Sequence, residues 1–64
     1  MMEQLMEKMY QHYRKAKAIE RGFVPYDYGA YEAHVKCAYH YVKNLELCDD
    51  DYIVKNIVKM YQAL

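Results

Sequence analysis

The stretch GFVPYDYGAYEAH, residues 22–34, decides how the chain is divided. It holds both glycines, the only proline and four aromatic rings, Phe23, Tyr26, Tyr28 and Tyr31. Gly22 suits the left-handed residue that closes a helix. Pro25 has no backbone N–H and biases Val24 towards an extended shape. Asp27 is of the type that caps a helix start. The segment therefore reads as helix stop, break and helix start. A connection is expected to be polar, so its rings need a reason. In this register Phe23 can fold back on Ala18, while Tyr26 and Tyr31 take the two places of a hydrophobic staple. Tyr28 is left without a structural role.

Upstream, Met2, Leu5, Met6, Met9, Tyr13, Ala16 and Ile19 recur at three- and four-residue steps. That stripe predicts a first helix over residues 2–21. Downstream, Tyr31, Val35, Ala38, Val42 and Leu45 form the inner stripe of a second helix over residues 28–47. Ala30, His34, Cys37, Tyr41 and Cys48 widen it, which leaves Glu32, Lys36, His40, Lys43 and Glu46 as a narrow solvent face. Glu32 precedes Lys36 by four, the favourable order for an ion pair. A helix with so little polar surface is expected at the centre of the fold.

The run CDDD, residues 48–51, ends the second helix. Asp49 is the expected cap of a third helix over residues 50–63, with Asp50 and Asp51 in its first turn, where negative charge suits the helix dipole. Cys48 and Ile53 would then form a second staple. Ile53, Ile57, Met60 and Leu64 make one row, with Val54, Val58 and Tyr61 beside it. The expectation is all-α: residues 1–64 as a single helical domain, a small antiparallel three-helix bundle. A helical hairpin with the first helix swung out to another chain is the alternative.

Sixty-four residues bury a small share of their surface, so stability is marginal without good packing. A composition 55% hydrophobic argues against disorder, and nine tyrosines with five methionines furnish both a core and an adhesive face. Nine basic and nine acidic residues cancel, whereas nucleic-acid binders of this size are usually basic. No run approaches the ~18 apolar residues of a membrane span. Glu3 and Glu7 stand where a secretory signal would be basic and then apolar. A cytoplasmic location is expected. On one continuous helix Cys37 and Cys48 would be roughly 16 Å apart, too far for a disulfide, so free thiols in a reducing compartment are expected.

His34 and Cys37 stand one helical turn apart, and His12 and Cys48 could complete a tetrahedral set. The chain lacks the Cys-x-x-Cys spacing of strong zinc motifs, and no two histidines stand four apart. The three aspartates lack the turn glycine and distal glutamate of a calcium loop. No metal and no cofactor are expected. Cys37 has His34 and His40 nearby in sequence, but Cys48 precedes three acids that disfavour a thiolate, and the chain contains no serine or threonine. No catalytic residues are expected, and the chain does not read as an enzyme.

Tyr10, Tyr28, Tyr39 and Tyr52 fall off the predicted core stripes and are the candidate partner-binding residues, since tyrosine gives large contact area at low entropic cost. The expected function is a helical protein-interaction module that binds and modulates a larger protein, of the small accessory kind that phages and mobile elements carry. A homodimer would fit the same surface. The second reading is a nucleic-acid-associated protein that uses Arg14, Lys15, Lys17 and Arg21, with Tyr10 a turn upstream. A helix-turn-helix fits poorly, because the recognition turn would carry Asp49, Asp50 and Asp51 against phosphate.

Overall fold

The computed structural model describes residues 2–48 and 50–64. Three helices follow in order: α1 over Met2–Arg21, α2 over Tyr28–Asn44 and α3 over Tyr52–Gln62. Twenty residues at 1.5 Å each make α1 about 30 Å long, close to the longest extent of the molecule, 31 Å. The central place belongs to α2, with α1 and α3 both laid against it. The chain is a small all-α three-helix bundle.

Local chemistry sets the first two boundaries as the sequence suggests. Gly22 adopts φ 80°. Its N–H donates to the Ile19 carbonyl at 3.3 Å, and the Phe23 N–H donates to the Ala18 carbonyl at 2.9 Å. This pair of bonds is a Schellman closure, and it satisfies carbonyls that the end of α1 would otherwise leave open. Asp27 is extended at φ −148° and accepts from the Ala30 N–H at 3.1 Å, which caps α2.

The second connection differs from expectation. Residues 28–47 do not form one helix, because α2 stops at Asn44. Glu46 takes φ 53°, a left-handed conformation costly for a residue with a Cβ. Its N–H donates to Lys43, and the Leu47 N–H reaches back to Val42 at 3.1 Å, a second Schellman closure without glycine. The compensation is burial: Leu47 folds back onto the core cluster that contains Val42. The cap of α3 is Asp51, whose carboxylate accepts from Ile53 at 2.8 Å and Val54 at 3.2 Å. Asp49, the expected cap, lies outside the described residues. With the cap at Asp51, Cys48 no longer stands in staple position to Ile53, and it is exposed. Asp51→Ala is expected to remove about 1 kcal/mol, seen in thermal melts as a Tm lowered by about 4–8 °C for a domain of this size.

The core forms two clusters. Met9, Ala38, Val42, Val54 and Ile57 join all three helices in one, and Ala16, Val35 and Met60 join them in the other. Ala16 and Ala38 are buried where a larger side chain would hold the helices apart. Leu5, Met6 and Tyr13 of the predicted α1 stripe are half-buried, and Cys37, placed on the widened inner face of α2, is exposed. Among the described residues, every buried side-chain polar atom has a partner.

Candidate functional site

The connection between α1 and α2 carries its rings outward. Phe23 is 76% exposed and Tyr26 74%, with Val24 and Tyr28 also exposed. The Phe23 backbone completes the Schellman closure, but its ring does not bury on Ala18. Tyr26 does not clamp Tyr31 as a staple; Tyr28 lies nearer that role, its ring centre 6.3 Å from that of Tyr31. Tyr31 in turn donates its hydroxyl to Glu20 at 3.2 Å, tying the start of α2 to the end of α1. Burial, and then the Glu20 carboxylate, push the Tyr31 hydroxyl above its ordinary pKa. So the loop is positioned by Gly22, Asp27 and the Tyr31–Glu20 bond, while Phe23 and Tyr26 remain free of structural duty.

Phe23 also borders an open depression of about 270 Å³ on the end of α1, lined by Tyr13, Arg14, Lys17, Ala18 and Arg21. Arg14 and Arg21 are two turns apart and therefore share a face. Ala18 lies between them, and its short side chain leaves room. Lys17 is held by Glu20 at 3.1 Å, which offsets part of its charge. Lys15 is not part of this face; its charge is felt by His12 instead. Phe23 and the arginine pair thus line one depression at this end of the molecule.

The four candidate tyrosines separate into two kinds. Tyr10 and Tyr39 pack against the core cluster, so their rings are employed inside. Tyr39 stacks on Tyr61 of α3 with ring centres 3.8 Å apart and planes 2° apart, and Lys43 Nζ stands 5.5 Å from its ring. Tyr28 and Tyr52 are exposed, Tyr52 to 76%. The structure does not gather the four into one patch. Phe23 and Tyr26 were hidden from sequence reasoning because helix-end motifs offered each of them a packing place.

The four side chains weighed against a metal site, and not expected to form one, are divided as well. His12 of α1 and His34 of α2 meet, their Nδ1 atoms 3.0 Å apart, while Cys37 and Cys48 are free and exposed. The ring centres are 5.3 Å apart, which is the nitrogen separation plus a ring radius at each end. The two nitrogens therefore point head-on at each other. That is the geometry of an N–H···N hydrogen bond, whereas two ligands of one metal converge at an angle. Among the described residues no group of three His, Cys, Asp or Glu side chains is placed to hold a metal ion. Tyr41 stacks beside His12 at 6.1 Å. Burial first, then His34 and Lys15, hold His12 below its ordinary pKa.

Between α2 and α3 lies a larger open groove of about 560 Å³, bordered by Val42, Leu47, Val54 and Val58 with Lys43 and Glu46 at its rim. The free thiol of Cys48 also lines it, with Tyr39 and Gln62. No helix is long and apolar enough to cross a membrane among the described residues. No protein-family model matches the chain, and no curated protein or solved structure is significantly similar to it.

Proposed function

We propose that the chain is a protein-interaction module that engages and modulates a larger protein through the α1–α2 connection. One observation carries the reading: Phe23 and Tyr26 stand three-quarters exposed on a loop whose ends are fixed by a Schellman closure and an aspartate cap. Exposed aromatics on a rigid support bind at low entropic cost, because little order has to be imposed on association. Arg14 and Arg21 flank Phe23, and an aromatic centre with arginine beside it is the composition of interface hot spots. The arrangement suits a partner with an apolar pocket edged by acidic groups.

Phe23→Ser with Tyr26→Ser is the test. The double variant is expected to keep the wild-type stability within about 0.5 kcal/mol, since both rings are at the surface. Cross-linking and affinity capture from cells that express the protein should recover a discrete partner with the wild type and lose it with the variant. Equal recovery with both chains would remove the loop from consideration.

A nucleic-acid role has one specific observation in its favour. The depression places an aromatic ring beside Arg14, Lys17 and Arg21, so a base could stack on Phe23 while the cations meet phosphate. Two features oppose it: the chain has no net charge, and Glu20 pairs with Lys17. Single-stranded RNA retained at low salt and released steeply as salt rises would favour this role over the first.

A further inference from the structure

The His12–His34 contact has a property that neither reading of function uses. We propose that these two side chains form a proton-operated latch between α1 and α2, closed while one proton lies between the facing Nδ1 atoms and opened when both atoms are protonated. The argument begins from the bond itself. At 3.0 Å and head-on, one Nδ1 must donate and the other must accept. In the neutral pair the donor ring is therefore the Nδ1–H tautomer, and the acceptor ring carries its proton on Nε2.

Acid then acts in two distinct steps. The first added proton goes to the free Nε2 of the donor ring. That ring becomes an imidazolium whose Nδ1–H still points at the acceptor, so the bond persists and is charge-assisted. The second proton has only the accepting Nδ1 to occupy. It removes the lone pair that held the bond and leaves two cations face to face. The pair titrates as a coupled unit, and the second step is the one that opens it.

The surroundings do not soften the second charge. From α1 the neighbouring charge is Lys15, a further cation; from α2 there are His34 itself and the stacked Tyr41 ring; α3 contributes none of the groups that shift His12. No third Asp, Glu or Cys joins the pair among the described residues. The place matters too. His12 lies between Met9 and Ala16, one buried anchor from each core cluster, so opening the pair loosens α1 where it grips α2. Since His12 is held below 6.5 in the folded chain, the unfolded chain takes up the proton first. With His12 as the ring protonated in the opening step, its contribution to stability is present above the unfolded value of 6.5 and is lost as pH falls through the depressed folded value.

The test is nitrogen-edited NMR of the histidine rings in the full chain. At pH 8, one of His12 and His34 should be the Nδ1–H tautomer and the other Nε2–H, with exposed His40 as the internal reference. On acidification two coupled steps should appear, and backbone shifts along α1 and α2 should accompany the second. Two ordinary Nε2–H rings that take up their protons independently of each other would overturn the latch. Thermal melts give an independent reading. Between pH 8 and pH 5 the wild type should lose several degrees of Tm more than His34→Gln, which keeps polar contact but cannot take a proton. Equal losses would also overturn it. If His34→Gln does not fold, the wild-type tautomers decide the matter alone.

Discussion

Ile57→Ala is expected to bring the chain close to its unfolding midpoint at 25 °C. Ile57 is 1% exposed and lies in the cluster where Met9 of α1, Ala38 and Val42 of α2 and Val54 of α3 meet. Truncating a buried isoleucine to alanine costs about 2–5 kcal/mol, from lost transfer free energy and the cavity left behind. A core from so short a chain supplies only about 3–5 kcal/mol in total. One truncation therefore consumes most of the stability. The chain contains no disulfide, since both cysteines are free, so nothing covalent makes up the loss. Ile57→Val, which removes one methylene, should cost about 0.5–1.5 kcal/mol and leave a folded protein. Circular dichroism with urea titration distinguishes them; an alanine variant that melts with the wild type would displace Ile57 from the core.

Tyr39→Ser is the second large effect, and it falls on stability rather than on partner binding. Tyr39 was a candidate contact residue, yet its ring lies flat on Tyr61 and packs against the core. The stack is the aromatic tie between α2 and α3. Its removal is expected to cost about 2–3 kcal/mol, less than a fully buried aromatic because the ring is half-exposed. A double-mutant cycle with Tyr61→Ser should give a coupling of about 0.5–1.5 kcal/mol for the pair itself. An unchanged urea midpoint for Tyr39→Ser, together with impaired partner capture, would return Tyr39 to the binding surface.

What could be read from the sequence was what a few neighbouring residues determine. Gly22 closes α1 and Asp27 caps α2 because the partners of each lie within five residues. The Glu32–Lys36 pair forms at 3.7 Å for the same reason. The start of α3 was not legible, since consecutive aspartates are locally equivalent as caps. Tertiary packing breaks the tie: a left-handed Glu46 turns Leu47 onto the core, and the helix then begins where Val54 and Ile57 face inward.

The candidate site was harder to foresee for a related reason. Whether Tyr39 or Tyr26 is outside depends on where a different helix docks, and helical spacing alone does not hold that information. His12 and His34 are 22 residues apart, and their meeting depends on the rotation of α1 about its own axis. Phe23 and Tyr26 had plausible packing places in their own loop and take neither.

The order of packing, α1 on α2 and α2 on α3, has a consequence in time. Each helix docks mainly on its neighbour in sequence, so forming the fold amounts to closing two short connections, residues 22–27 and 45–51. Short closures are quick, and helical chains rich in local contacts fold in about microseconds to milliseconds. A chain of marginal stability that refolds this fast can open often and still spend little of each cycle open. Its vulnerability to proteases then follows the equilibrium population of the open form rather than the rate of opening.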